Sequence, residues 1–487
     1  MQGGVHEEGS SHSIGGRLLA SILFAATVVG AAAAYLLRIG ESSLAANESY
    51  SAWAAAMPGI GSILAIPTRV DPGREIVFYV ALHYYSLLFG LEPGAIRALS
   101  TLFALISIGL VFALARELFD EQYALGAAAL WAFNPIAYVM AQRARTYTLF
   151  AAVALAQFLM LWRVRRKATG AGVAGCGLLG GLMLYTHLAG VVIIATELGM
   201  LARDFLRGRR NAGPWIAIGI ALALFAPFVP VFLSLSQTLV YGHWLDWIGT
   251  PVHYSVAAKA VALGLGMGLG LWFLLGPNRE SNALEPLRWS AALAILPFAA
   301  FYVGSIVLRP LMSPRYLTPC FAMLAVTIPA ALGRINLRLR NLAVAGLVAA
   351  FLALVPFEAA RSQGWARVAA TVAGAHQDSQ PVFFEAGFIS PESIPNGGFP
   401  QGYYTVPFNY YFHGPNPRLL VPAYDPAAAR AKITREVAAA GGGWLVSWKP
   451  PRFAREELPD AGSFRSEILA SGSTLTLYRI TPKSSAR

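Results

Sequence analysis

The chain has 487 residues, 56% hydrophobic and only 13% charged, with a net charge of +12 and a mean hydropathy of +0.54. A water-soluble domain carries about a quarter charged residues, so most of this length is excluded from a soluble fold. The basic excess is not a nucleic-acid footprint either: it sits in short loops between apolar runs, the positive-inside pattern of a polytopic membrane protein.

Residues 1–16 are polar and are expected to stay in the cytoplasm. Arg17 opens an apolar run to Leu37 with no small-residue cleavage site, so it reads as a retained first span. A first outer loop follows over 40–95, with two helical stretches at 47–57 and 76–90. The second, IVFYVALHYYSLLFG, is shorter than the ~20 residues needed to cross ~30 Å of hydrocarbon. It is either a short span or a helix lying in the headgroup region. Charge decides: a crossing here would turn the most basic later loops outward, so the interfacial reading holds.

Further spans are expected at 96–115, 123–141, 146–162, 170–186, 188–202, 214–235, 255–276, 289–308, 316–333 and 341–357, about eleven in all. The inside loops then hold Arg163, Arg165, Arg166, Lys167, Arg203, Arg207, Arg209, Arg210, Arg279, Arg288, Arg334, Arg338 and Arg340. The later outside loops keep only Arg143, Arg145, Arg309 and Arg315. The tail, 358–487, reads as an extracytoplasmic α/β domain. Its helices are expected at 365–376 and 427–440, its strands at 381–385, 419–422, 444–448 and 474–480, and a Pro/Gly-rich loop at 389–402. Cys176 and Cys320 both fall inside spans and form no disulfide framework.

Few residues at the outer rim carry chemistry. A loop acid beside a membrane ordinarily faces water. Glu48, however, lies in a segment whose Tyr50, Trp53 and Met57 recur at helical spacing, and a carboxylate held there can take a proton from a hydroxyl. Glu41, Asp71 and Glu75 are further acids of that loop, and each stands as an alternative base. Arg143 and Arg145, in Gln142-Arg143-Ala144-Arg145-Thr146-Tyr147, oppose the inside-positive trend, and a guanidinium is a planar fork suited to phosphate oxygens. His187 closes Tyr185-Thr186-His187 at a tight outer turn, either as a packed group or as one that orients a ligand. Arg315, followed by Tyr316, reads as a snorkelling anchor or a second clamp on phosphate. The 237–255 outer loop carries Tyr241, His243, Trp244, Asp246 and Trp247, candidates for sugar selection. Zinc-protease, Walker, nucleophile-elbow and dinucleotide motifs are absent, and no Asp-x-Asp element marks a divalent-metal site.

In the order of these motifs the sequence resembles the membrane-embedded GT-C glycosyltransferases that use polyprenyl-phosphate sugars, a group that includes the protein O-mannosyltransferases and the lipid A aminoarabinose transferases. Asn47-Glu48 occupies the place of the family's Asp-Glu pair. Arg74-Glu75-Ile76 opens and Leu88-Phe89-Gly90 closes the interfacial helix, without the family's His-Pro-Pro start. Gln142 to Tyr147 matches Gln-Glu-Ala-Arg-x-Tyr with Arg143 in place of Glu. Tyr185-Thr186-His187 and Arg315-Tyr316-Leu317 are intact.

The resemblance implies a GT-C-like bundle over 17–357 with two juxtamembrane helices in the first outer loop. It implies an inverting transferase in the bacterial inner membrane that moves a sugar from a polyprenyl-phosphate donor to an envelope lipid, glycan or protein hydroxyl, without a cofactor or metal. Glu48 or Asp71 would supply the base. Arg143, Arg145, Tyr147, His187, Arg315 and Tyr316 would hold the donor phosphate and sugar. The alternatives are a transporter or flippase of lipid-linked sugar, and a catalytically silent relative that binds lipid phosphate.

Overall fold

The computed structural model describes residues 8–69, 75–231, 233, 284–307, 313–354, 364–375, 377–386, 402–422, 425–448, 454–471 and 475–483. In chain order the helices are α1 (Glu8–Leu36), α2 (Ala46–Ala55), α3 (Ile60–Arg69), α4 (Ile76–Phe89), α5 (Pro93–Leu118), α6 (Glu121–Ala132), α7 (Pro135–Ala141), α8 (Tyr147–Arg166), α9 (Gly170–Thr186), α10 (Gly190–Leu206) and α11 (Gly213–Phe225). After them come α12 (Glu285–Val307), α13 (Thr318–Ile335), α14 (Leu337–Leu354), α15 (Trp365–Gly374), α16 (Gly402–Asn409) and α17 (Pro426–Ala440). Five strands, β1 (Val382–Ala386), β2 (Arg418–Pro422), β3 (Gly443–Ser447), β4 (Phe464–Ser471) and β5 (Thr476–Pro482), complete the fold. The chain divides into two units: Met1–Ile39, Arg97–Pro227 and His253–Phe357 form one, and Gly40–Ile96, Phe228–Val252 and Glu358–Arg487 the other.

The first unit is a bundle of apolar helices. Among the described residues seven helices are long and apolar enough to cross a membrane, and the bent pair α6–α7 makes an eighth. The 17-residue helices α9 and α10 occupy two more expected spans, while the span expected at 255–276 lies outside the described residues. The 57° bend between α6 and α7 has a local cause. Asn134 caps α7 by accepting the Ile136 N–H at 2.9 Å, and Pro135 starts the new helix without an N–H of its own. Helices α9 and α11 pack with backbones nearly touching. A Cβ added at Gly177, Gly180 or Gly181 would stand 2.7 Å from Ile220, 2.8 Å from Ala221 or 2.9 Å from Leu224. Gly177-x-x-x-Gly181 is thus a small-residue face that lets two apolar helices gain dispersion contacts in lipid.

Helix α8 runs from Tyr147 to Arg166 in 20 residues, a length of about 30 Å and so about one hydrocarbon thickness. Its two ends are chemically opposite. At the Arg166 end, Arg165 forks onto Asp204 of α10 and also meets Glu285 of α12, which in turn holds Arg209. Midway, Gln157 donates to the buried Glu197 at 3.4 Å and accepts from Cys176. The Tyr147 end carries the aromatic and cationic residues described below.

In the second unit, helices α2, α3 and α4 fill the stretch read as two helices, with α3 between them. Helix α4 is apolar all round. It buries Phe78, Tyr79 and Leu82 and exposes Tyr84, Leu87, Leu88 and Phe89. At 14 residues it is about 21 Å long, too short to cross, and an apolar exposed face suits the headgroup boundary.

The C-terminal part of this unit is a sheet in the order β2-β1-β3-β5-β4, parallel across β2-β1-β3 and antiparallel across β3-β5-β4. Alternating side chains feed two cores. Val382, Phe384, Trp444 and Val446 pack with Trp365 of α15 and Phe408 of α16 on one face. Phe383, Leu445 and Ile480 pack with Ile433 and Val437 of α17 on the other. Strand β4 was not expected from the sequence, because Arg465 and Glu467 give it the charged pattern that protects a sheet edge. Helix α16 was missed because Pro407 lies inside it. Two adjacent tyrosines tie this part to the helices of 40–96: the Tyr411 hydroxyl accepts the Leu44 N–H at 2.5 Å, and the Tyr410 hydroxyl donates to the Leu91 carbonyl at 2.6 Å.

Two acids, Glu385 and Glu457, are buried together in this part. Glu385 of β1 accepts from the Ser447 hydroxyl at 2.6 Å and from the Trp448 N–H at 2.9 Å, and it faces Glu457 and Tyr478, the latter within reach of Arg455. Burial first, then the neighbouring Glu457 carboxylate, pushes the Glu385 carboxyl up to about 8. Because the folded-state value lies above the unfolded one, the stabilisation is complete below the ordinary carboxylate range and is lost as pH rises through 8. Hydrogen exchange at β1 and β3 amides of the full chain, corrected for intrinsic rate, should accelerate between about pH 5 and pH 9. Glu385→Gln, which keeps an acceptor for Trp448, should flatten that dependence. An unchanged slope in the variant would remove Glu385 as its cause.

Candidate active site

At the Tyr147 end of α8 the first unit gathers five of the sequence-selected residues around one spot. Tyr147 is buried at the start of α8, His187 is buried at the end of α9, and Arg315 and Tyr316 are half-buried in the single turn Pro314–Leu317 that enters α13. The ring centroids stand 5.9 Å apart for Tyr147–His187, 5.0 Å for His187–Tyr316 and 6.3 Å for Tyr147–Tyr316. Phe150 closes the other side of His187 at 5.2 Å. The Arg315 guanidinium lies 5.0 Å from the Tyr316 ring centre and 5.8 Å from that of Tyr147, and donates to the Tyr316 hydroxyl at 3.1 Å. Arg145 is near enough for its charge to act on Arg315.

Polar side chains that carry no charge hold this arrangement. Thr146 donates to the Thr186 carbonyl at 3.1 Å, and Thr318 to the Tyr147 carbonyl at 3.2 Å. These two bonds join the starts of α8 and α13 to the end of α9. Ser100 of α5 donates to the Arg145 carbonyl at 3.2 Å. Gln142 donates to the Tyr35 and Leu37 carbonyls, both at 3.1 Å, and so caps the end of α1. None of these anchors is readable as a site residue in one sequence, except that Gln142 opens the arginine motif.

The His187 Nδ1 accepts the Ala189 N–H at 3.0 Å, which in the neutral ring leaves the proton on Nε2. The Arg315 Nε, buried, has no hydrogen-bond partner among the described residues. A buried N–H donor without an acceptor is costly unless a ligand supplies one. Two positive charges held this close also favour an anion between them. Arg143, by contrast, is exposed.

The acids lie in the second unit. Glu48 is 4% exposed, and its carboxylate accepts the Ala45 N–H at 2.9 Å, capping its own helix α2. Asn47 beside it is exposed, as is Glu41, whereas Glu75 is buried at the start of α4. Of the described acids in this loop, burial therefore singles out Glu48 and Glu75. Asp71 lies outside the described residues, as do Arg309 and the 237–255 loop with its Tyr241, His243, Trp244, Asp246 and Trp247.

Together the helical bundle, the juxtamembrane helices and the sheet-containing C-terminal part define a multi-pass membrane protein with the GT-C glycosyltransferase fold. Residues 74–231 match the family model of dolichyl-phosphate-mannose-protein mannosyltransferases. Among solved structures, ArnT from Cupriavidus metallidurans bound to undecaprenyl phosphate aligns at 14% identity with a TM-score of 0.55, covering 94% of this chain and 97% of that one, and its apo form aligns equally. An oligosaccharyltransferase from Archaeoglobus fulgidus aligns at 12% identity with a TM-score of 0.45, covering 86% of this chain and 67% of that one. No curated protein sequence matches.

Proposed function

We propose that the protein is an inverting glycosyltransferase that moves a sugar from a polyprenyl-phosphate donor to a hydroxyl of an envelope lipid, glycan or protein. The observation that carries the reading is the Arg315 guanidinium, bracketed by Tyr147 and Tyr316 with a buried Nε–H that finds no acceptor among the described residues, beside a second cation at one membrane rim. The likeness in fold to a structure that holds undecaprenyl phosphate supports the same donor class. With the basic loops inside, this rim faces the outside of a bacterial inner membrane, and the C-terminal part lies on that side, over residues 358–487.

The donor dictates the location. Its isoprenoid tail stays in lipid while its sugar needs water and polar groups, so the reaction belongs at the rim. The acceptor oxygen attacks the anomeric carbon as the bond from that carbon to the phosphate oxygen breaks, and configuration inverts. Negative charge grows on the departing polyprenyl phosphate, where Arg315 and Arg145 stabilise it. The His187 Nε2–H and the Tyr147 and Tyr316 hydroxyls are donors for the remaining phosphate and sugar oxygens. Glu48 takes the acceptor proton, with Asp71 next in line.

The test uses purified full-length protein in liposomes, radiolabelled polyprenyl-phosphate sugars and a cell-envelope lipid extract. A new glycosidic product made only with protein present is the expected result. Movement of labelled lipid across the bilayer without any new glycosidic bond would replace the transferase with a transporter.

A further inference from the structure

The basic rim at the Arg166 end of α8 contains a hollow that the transfer chemistry does not use. A cavity of about 420 Å³ opens where α10 turns into α11, lined by Phe205, Trp215 and Ile216 together with Arg210 and Asn211. That volume falls within the ~300–1,000 Å³ range of small-molecule sites. Three features give it a character of its own. Its walls are exposed apolar side chains at a membrane boundary. Its floor is fixed: Asn211 donates to the Val164 and Arg165 carbonyls at 3.0 and 3.2 Å, and accepts the Gly213 N–H at 2.9 Å. Its charge is uncompensated. Asp204 is held by Arg165, and Glu285 by Arg209 and Arg165, which leaves the exposed Arg210 with no acidic partner among the described residues.

We propose that this hollow binds one anionic phospholipid from the leaflet on the side of the basic loops. The head phosphate would sit against Arg210 and the first turn of α11, whose positive dipole end points there. The upper acyl chain would lie between Phe205, Trp215 and Ile216. Charge complementarity selects this occupant: zwitterionic lipid would gain the apolar contacts but bring no net charge to Arg210. A soluble phosphate would gain the charge and leave the apolar walls bare. The site is independent of the donor site, which lies at the other end of α8.

Purified parent, Arg210→Gln, Ile216→Trp and Arg338→Gln would be reconstituted with equal phosphatidylglycerol and phosphatidylcholine, stripped by graded detergent, and their retained lipids counted by native mass spectrometry. Arg338 is an exposed arginine in the first turn of α14 and controls for diffuse attraction. The parent and Arg338→Gln are expected to retain phosphatidylglycerol over phosphatidylcholine. Arg210→Gln should lose about fivefold of that preference, what one basic residue supplies near an anionic surface. Ile216→Trp, which fills the hollow, should lose the lipid altogether. Equal loss in Arg338→Gln and Arg210→Gln would overturn the site in favour of diffuse charge. Displacement of the retained lipid by inorganic phosphate alone would overturn the lipid assignment.

Discussion

Replacing Glu48 with Gln is expected to slow sugar transfer by about 10²–10⁴-fold, the share that a positioned proton acceptor contributes, while donor binding stays at the parent level. The substitution isolates chemistry from structure. Glu48 caps α2 through the Ala45 N–H, and a Gln carbonyl oxygen can keep that bond, whereas Ala would forfeit it along with the base and cost the helix about 1 kcal/mol. Single-turnover transfer and equilibrium binding of a fluorescent polyprenyl phosphate, measured on the same preparation, separate the two effects. Transfer at the parent rate in Glu48→Gln would move the base to Asp71 or Glu75. The same result in all three single variants would end the proposal of a carboxylate base.

Arg315→Ala is expected to weaken lipid-phosphate binding and to lower transfer by about 10²–10³-fold, the loss that follows removal of one donor aimed at developing negative charge. Arg315→Lys should recover little. The guanidinium lies against two tyrosine rings and donates to the Tyr316 hydroxyl, a planar arrangement that a compact ammonium cannot copy. If Arg315→Lys restored binding and rate together, point charge would be the operative property and the stacked geometry incidental. If Arg315→Ala matched the parent in both, the guanidinium would be a snorkelling anchor, the bland alternative that a span-edge arginine always carries.

How legible these residues are in the sequence depends on the reach of the interactions that place them. Spans are written in local hydropathy, so α1, α5, α8, α12, α13 and α14 emerge from composition alone. The shortness of α4 is legible too, since its 14 residues are too few to cross. Tyr147, His187 and Tyr316 can be selected through their motifs, but their convergence cannot. It depends on Thr146 meeting Thr186 and on Thr318 meeting Tyr147 across separations that no periodicity records. The burial of Glu48 beside an exposed Asn47 is likewise invisible, because two adjacent polar residues look alike until the helix they begin is packed. The charged edge strand β4 is hidden for the opposite reason: it protects a sheet margin and so lacks the apolar alternation by which strands are recognised.

The paired tyrosines that reach from the end of α16 to Leu44 and Leu91 have a practical consequence for anyone wishing to exchange the C-terminal part between relatives. The graft border does not fall at residue 358. A transplant that carried 358–487 alone would strand two phenol groups and orphan one amide and one carbonyl in the recipient. The transferable cassette is discontinuous in sequence: the segment ahead of the second span must travel with the tail, or its counterpart in the host must offer the same amide and carbonyl at the same height.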